Sequence, residues 1–304
     1  MLDEVIEVLD IKPGGIYVDG TAGGAGHSSA IAERLTTGRL IALDRDSDAV
    51  KVASGRLSRF GDRATVVHSN FADFASVLDD MGIEKIDGIL LDLGVSSYQL
   101  DNAERGFSYV ADAPLDMRMD RTSELDAARV VNGYDRDDIV RILRDYGEEK
   151  YASRIADRIC LEREERPIKT TGELVEIIRA ALPDGGRSQN HHPAMRTFQA
   201  IRIEVNGELE IIPKTIKCAC DRLKTGGVAA IITFHSLEDR LVKETYAELA
   251  QGCICPRDFP VCVCGRKPRV ELVSRKPIVP GNEELKRNSR SHSAKLRAFR
   301  KLAE

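Results

Sequence analysis

Five short apolar runs are spaced along the chain so that each reads as a β-strand: Ile16–Asp19, Leu40–Asp44, Thr65–His68, Gly88–Asp92 and Val228–Phe234. Between the first four, apolar residues recur at helical spacing over Ser28–Leu35, Ser47–Leu57 and Phe74–Met81. Strand alternating with helix predicts an α/β fold, a parallel sheet with helices on both faces. The fifth run does not come until Val228, and connections inside such sheets are short, so the stretch between needs structure of its own. It divides in two. Residues 102–120 read as loop, with Gly106, Pro114 and scattered acids. From Ser123 to about Leu182 the pattern is helical, with Ile139, Ile142, Leu143, Tyr146 and Ile155 in register and Glu, Arg and Lys between them. Pro183-Asp184-Gly185-Gly186 marks an exit turn, and a further helix from about Met195 to Glu208 leads back. The expected organisation is a sheet domain in two parts, residues 1–101 and 208–304, interrupted by a loop and helical domain at 102–207.

The turn after the first strand carries the clearest chemistry. Asp19-Gly20-Thr21-Ala22-Gly23-Gly24-Ala25-Gly26-His27-Ser28 joins a strand to a helix, the layout of a nucleotide-cofactor site. Glycines let backbone approach a ligand, and the helix N-terminus offers N–H groups to its polar atoms. The second strand ends in Asp44, placed to accept hydrogen bonds from a ribose. No frame through Gly20, Gly23, Gly24 and Gly26 gives the Gly-x-Gly-x-x-Gly of dinucleotide enzymes. The turn also opens with an acid, Asp19, which suits the cationic amino group of S-adenosylmethionine better than a pyrophosphate. A methyltransferase therefore leads a dehydrogenase. The coincidence of turn glycines with two strand-end acids argues against a turn that binds nothing.

Composition changes this picture in two ways. At 304 residues, with 42% hydrophobic and 31% charged residues, the chain has the profile of a soluble globular protein with ample core. No run of 18 apolar residues exists, and Met1-Leu2-Asp3-Glu4-Val5 does not open a secretory signal, so no membrane partner is expected. An odd count of seven cysteines then points to a reducing cytoplasm. The net charge is −4, but residues 265–304 hold twelve Lys/Arg against four Glu, a net +8, leaving −12 on the first 264. A basic segment on an acidic body fits contact with a polyanion at one edge. A tail that only aids solubility fits the charge equally well.

Four further segments are candidates. Asp92-Leu93-Gly94-Val95-Ser96-Ser97 ends the fourth strand, where ligands bind in open α/β sheets. A carboxylate there can accept the N–H bonds of an exocyclic base amine and draw its nitrogen toward a pyramidal, nucleophilic shape. The alternative is an Asp that merely caps the next turn. Phe234-His235-Ser236-Leu237-Glu238-Asp239-Arg240 follows the fifth strand, and Ser236 with Asp239 reads as a capping box opening a helix, with His235 on an active-site wall. Arg196, Gln199 and Arg202 lie three apart on one helix face, suited to phosphate or base contacts or, equally, to a structural polar seam between the two domains. Cys253-x-Cys255 and Cys262-x-Cys264 could bind zinc tetrahedrally, but the usual spacing is Cys-x-x-Cys, so a reduced loop without metal is favoured.

Together these residues resemble a known family, the bacterial small-subunit (16S) ribosomal RNA cytosine-N4 methyltransferases. The resemblance runs through Asp19–His27, Leu43–Asp46, Asn70-Phe71, Asp92–Ser97 with Gln99, Gly106–Ser108, Pro114-Leu115-Asp116-Met117-Arg118-Met119-Asp120, Tyr146–Glu149, His192–Asn206, Phe234–Arg240 and Asn288–Arg297. The Pro-Leu-Asp-Met-Arg-Met-Asp and Phe-His-Ser-Leu-Glu-Asp-Arg runs are specific to it. It implies a class I S-adenosylmethionine-dependent, Rossmann-like sheet interrupted by an all-helical RNA-recognition domain. It implies that the cofactor contacts Ala25, Gly26, His27, Asp44, Phe71, Asp92 and Gln99, with Phe71 flanking the adenine and Asp44 holding the ribose. It implies a substrate, a decoding-region cytidine methylated on N4 within the assembled small subunit, and no DNA partner.

Three departures from the family pattern stand out. Ala25 replaces a glycine, which adds strain if its φ is positive. The chain starts inside a region where the family usually carries His-x-Pro-Val, so its start reads as trimmed. His292 stands where the basic C-terminal motif repeats Arg, a weaker and pH-dependent phosphate contact. The expectation is an rRNA cytosine-N4 methyltransferase in which Asp92 orients the amine, with Arg287, Arg290, Lys295 and Arg297 joining Arg196, Gln199 and Arg202 on RNA. The target base leaves its stack to reach the sulfonium, which predicts a cleft between sheet and helical domain. The rivals are the same chemistry on another nucleobase amine, disfavoured by the absence of Asp/Asn-Pro-Pro-aromatic, and a ribosome-assembly factor that binds the cofactor without turnover.

Overall fold

The computed structural model describes residues 1–186, 191–256, 261 and 263–303. It divides into two compact units: Met1–Gly94 with Leu209–Glu304, and Val95–Glu208.

The first unit is built on a seven-stranded sheet ordered β3-β2-β1-β4-β5-β7-β6. Its strands are β1 (Ile16–Asp19), β2 (Arg39–Asp44), β3 (Ala64–His68), β4 (Ile86–Asp92), β5 (Leu223–Thr233), β6 (Val270–Leu272) and β7 (Lys295–Lys301). Helices α1 (Leu2–Leu9), α2 (Gly26–Arg34), α3 (Ser47–Leu57) and α4 (Phe74–Asp80) accompany β1 to β4. The first five strands pair in parallel. The order reverses at β1, between β2 and β4, and at such a switch point the strand ends leave room for a ligand. This is the mostly parallel, doubly wound sheet that the alternation of strand and helix predicts. Its strands are apolar on both faces, as parallel strands covered on both sides must be. Tyr17, Leu40, Ala42, Leu90, Val228, Ala230 and Ile232 join one core with Val5, Ile31, Ala32 and Leu57 of the helices. The alternate residues Val18, Ile41, Leu43, Ile89, Leu91 and Ile231 are equally buried.

The C-terminal segment differs from the expected basic tail. β7 runs antiparallel between β5 and β6, with Ala230 opposite Ala298 and Leu272 opposite Phe299. Leu296 and Phe299 are fully buried. Lys-Leu-Arg-Ala-Phe-Arg-Lys places Leu296, Ala298 and Phe299 in the core and sets Lys295 and Arg297 against Asp239 of the same unit. Counting basic residues in a run misses this, because a mixed edge of an α/β sheet tolerates a charged alternating strand.

The second unit holds α5 (Ser97–Asp101), α6 (Ala127–Gly133), α7 (Arg136–Asp145), α8 (Ala152–Glu165), α9 (Thr171–Ala181) and α10 (Met195–Asn206). Ile139, Ile142, Leu143, Ile155, Ile159, Leu174, Ile178, Phe198 and Ile201 form its core. α9 opens with a capping box in which Thr170 and Glu173 satisfy each other's backbone N–H. The unit begins at Val95 rather than near residue 102, because Val95 and Leu100 pack against this helical core. The expected loop at 102–120 has little regular structure but is not a surface strand of chain. Leu115, Met117 and Met119 are buried, and the Arg105 guanidinium, itself buried, donates to the carbonyls of Arg118 and Met119. Helices α11 (Ile211–Arg222), α12 (Ser236–Ala250) and α13 (Asn282–Arg287) complete the first unit. No helix among the described residues is long and apolar enough to cross a membrane.

β7 as a core strand yields a direct test. Phe299 stacks edge-on against Tyr246 of α12 at 4.8 Å, so Phe299→Ala costs about 3–5 kcal/mol of stability in urea unfolding. A change within ~0.5 kcal/mol, the value for an exposed tail, would contradict the placement.

Candidate functional site

The site is built where β1, β2 and β4 end. β1 delivers Asp19, which is almost wholly buried. Its carboxylate accepts the Thr21 N–H at 3.1 Å and the Ser28 hydroxyl at 2.5 Å, tying the strand end to the first turn of α2. Burial raises its pKa, and the Ser28 and Thr21 bonds oppose the rise. Asp19 is thus a brace of the turn. The expectation of a carboxylate displayed to a cationic ligand does not fit a side chain sealed under α2.

The turn is then laced to its neighbours. Thr21 Oγ1 accepts the Asp92 N–H at 2.7 Å, fixing the turn to β4. The Gly23 N–H donates to Asp44 Oδ2 at 2.7 Å, fixing it to β2, and Asp44 Oδ1 accepts from the Asp46 N–H. Burial raises the Asp44 carboxyl and these two bonds lower it. Gly20 has no room for a side chain: a Cβ would overlap Leu91 and lie 2.9 Å from Phe71 Cβ. Phe71 follows β3, in a short 3-10 turn capped by Asn70, and is half-buried.

Ala25 occupies the N-cap of α2 at φ 59°, ψ 29°. This is the left-handed region, where a Cβ costs roughly 1 kcal/mol. The departure noted in the sequence therefore carries strain, held in place because Ala25 is buried. The N–H groups of the first turn of α2 have no carbonyl four residues earlier within the helix, and Gly26 there has open space around it.

Asp92 ends β4. Its Oδ1 is buried and meets no hydrogen-bond partner among the described residues. His27 Nδ1 lies 3.6 Å from Oδ2, too far for a hydrogen bond. Burial pushes Asp92 up to about 6, against the pull of His27 and with a push from Asp19. Burial also lowers His27, against the pull of Asp92. A carboxylate with a lone oxygen and no fixed cation can accept an N–H from a ligand and can take a proton near neutral pH.

Other expected residues are placed differently. Gln99 belongs to the helical unit, buried in α5, where its side chain accepts the Ser96 N–H in a capping box. Ser236 and Asp239 do not cap α12. The helix begins at Ser236, so His235 is the N-cap: its Nδ1 accepts the Glu238 N–H, and buried Glu238 accepts the N–H groups of Phe234 and His235. Asp239 accepts instead from Arg297 at 2.7 Å and Lys295 at 3.1 Å. Burial would raise the Asp239 carboxyl, but these two cations hold it low. Arg287 and Arg290, on α13 and the turn after it, are exposed. On α10, Arg202 forms a bidentate pair with Glu208, Gln199 donates to the Tyr146 carbonyl and Arg196 to the Glu148 carbonyl. All three contacts lie within the helical unit. Thr21 and Ser28 escaped the sequence reading, although hydroxyls beside a strand-end acid were its visible signal.

The profile of the MraW methylase family matches residues 1–302. The chain is 54% identical to a ribosomal RNA small subunit methyltransferase H of Lachnospira eligens over 99% of its length and 96% of the relative's. It is 56% identical to a ribosomal RNA small subunit methyltransferase H 2 of Agathobacter rectalis, covering 98% and 96%. To the ribosomal RNA small subunit methyltransferase H of Heliobacterium modesticaldum it is 53% identical, covering 99% and 97%.

Two predictions follow from this geometry. Asp92 has a raised folded pKa, so its contribution to stability is full below about pH 4 and lost as pH rises through about 6. Because the side chain keeps 29% exposure, the penalty at pH 8 is about 1–2 kcal/mol. Asp92→Asn should melt about 2–4 °C higher than the parent at pH 8, with the gap closing near pH 4. A lower melting point at pH 8 contradicts the ionised, buried carboxylate. Ala25→Gly should stabilise by about 1 kcal/mol in the same assay. Destabilisation would mean that the Ala25 methyl packing outweighs its backbone strain.

Proposed function

The chain belongs to the MraW methylase family, and from that premise we propose that it transfers the methyl group of S-adenosylmethionine to the exocyclic N4 of a cytidine in the decoding region of small-subunit rRNA. The observation that carries the reading is Asp92: an ionisable acid with an unpartnered oxygen at the switch-point strand end, beside the glycine turn and Asp44. The names of the curated relatives support ribosomal RNA of the small subunit as substrate, and the assembled subunit is part of the proposal.

The residues fit the cofactor. The glycine turn and first turn of α2 offer N–H donors. Asp44 keeps lone-pair capacity for ribose hydroxyls beyond the two backbone bonds it accepts. Phe71 supplies an aromatic face against the turn. S-adenosylmethionine brings a methyl group on a sulfonium, an electrophile that needs only a positioned nucleophile. Asp92 provides the positioning. Its carboxylate accepts an N–H of the cytosine amine, which raises electron density on nitrogen and aims the lone pair. As the N–C bond forms and the S–C bond breaks, the amine becomes acidic, and an Asp92 carboxyl near 6 is matched to receive the proton. Arg287 and Arg290, both exposed, are the proposed phosphate contacts of the C-terminal motif.

Purified protein incubated with methyl-labelled S-adenosylmethionine and small subunits lacking the modification should place label in N4-methylcytidine after digestion to nucleosides. The single-turnover rate should fall about tenfold per pH unit below 6, as Asp92 protonates, and Asp92→Ala should lower it by at least about 10²-fold with cofactor affinity largely kept. Label in another nucleoside would sink the cytidine reading. Cofactor binding with no transfer would favour a binding factor, and an unchanged Asp92→Ala rate would remove Asp92 from the chemistry.

A further inference from the structure

The segment joining α12 to β6, residues 251–269, has no regular secondary structure among its described residues. Connections this long inside a compact unit are uncommon and are functional when ordered. Its described large apolar residues face solvent: Ile254, Val261 and Val263 are 53%, 70% and 74% exposed. Yet its described cysteines converge. The Sγ atoms of Cys253, Cys255 and Cys264 all lie within 4.8 Å of one another. Cys253 and Cys264 are 3.7 Å apart, which is no disulfide but is the edge, about 3.8 Å, of a tetrahedron with 2.3 Å metal–sulfur bonds.

The backbone is organised around these sulfurs as well. The Cys255 N–H points to Cys253 Sγ at 3.4 Å, the Ile254 N–H to Cys264 Sγ at 3.5 Å and the Val263 N–H to Cys255 Sγ at 3.4 Å. Each of the three sulfurs thus accepts one amide. Amide donors around thiolates disperse their charge and aim their remaining lone pairs inward, the outer shell expected of a thiolate metal centre. Three neutral thiols at the surface have no reason to gather amide donors, and three thiolates this close repel unless a cation sits among them.

We infer that Cys253, Cys255 and Cys264 are ligands of a structural zinc ion that staples the α12–β6 connection. The expectation of a metal-free loop rested on Cys-x-Cys spacing. The fold supplies what the spacing hides, by bringing Cys264 back onto Cys253 and Cys255. Zinc fits because it is borderline-soft, takes tetrahedral sulfur ligands and needs no redox partner. Binding replaces thiol protons by the metal and leaves the sulfurs at the same oxidation state. The motif's other thiol, Cys262, lies outside the described residues, so the inference stands on the three. The ion would act as the missing core of a connection that shows Ile254, Val261 and Val263 to solvent.

The test is metal content of the full chain purified under reducing conditions without chelator. About one zinc per chain is expected, and Cys253→Ser/Cys264→Ser should hold at least about tenfold less with an unchanged circular dichroism spectrum. In the parent alone, a chelator should accelerate tryptic cleavage after Arg266. The inference is overturned if the parent holds no zinc after equimolar zinc is supplied. It is equally overturned if the double variant retains as much, or if chelation leaves the cleavage rate unchanged.

Discussion

The constraint on which the first unit depends is the passage of the chain out of β1 between the ends of β2 and β4. There is no room there for a side chain at Gly20. The turn is then held by three bonds of different origin: Ser28 to Asp19 within the β1–α2 unit, Gly23 to Asp44 toward β2, and Asp92 to Thr21 toward β4. Each uses a group that would otherwise be an unsatisfied polar atom at a strand end. The three parallel strands therefore end in fixed register, and the side chains that face a ligand are positioned by the backbone. That register lets Asp92 and His27 stand 3.6 Å apart without a bond between them.

A site of this kind is in tension with stability. An acid with a sealed, unpartnered oxygen destabilises the fold when ionised, and an alanine at positive φ adds strain next to it. Neither feature helps folding. The surrounding strands hold both in place: Leu90 and Leu91 of β4 are buried, and Ala25 is packed into the core shared by α1 and α2. Stability that the sheet provides in excess is what allows the site to keep an acid near 6.

How much of this was legible in the sequence depends on whether the signal was local. β1 to β5 were readable because parallel strands covered on both faces are short apolar runs, and the turn was readable because its glycines and acids cluster. Four features were not. β7 hides because its alternation carries Lys and Arg on the polar positions and because its pairing partner β5 lies more than sixty residues earlier. The cap of α12 was misplaced by one residue, since His235 supplies a ring nitrogen where a hydroxyl was expected. The buried path of residues 102–120 depends on Arg105 donating across the loop. The brace role of Asp19 depends on burial, which no residue type announces.

The charge asymmetry carries the same lesson further. Net charge counts every Lys and Arg equally, but a cation already bound to an acid contributes little to a distant polyanion. In the C-terminal segment Lys295 and Arg297 share Asp239, and Lys286 pairs with Glu283. On α10 Arg202 is matched by Glu208. The acidic body and basic segment are thus partly each other's partners, which is why a +8 stretch can be woven into a sheet. Arg287, on α13, and Arg290, in the turn after it, are exposed at the surface. A few cations at a fixed place set the register of a phosphate backbone better than a mobile tail of the same total charge, because the entropy of ordering them has already been met by the fold.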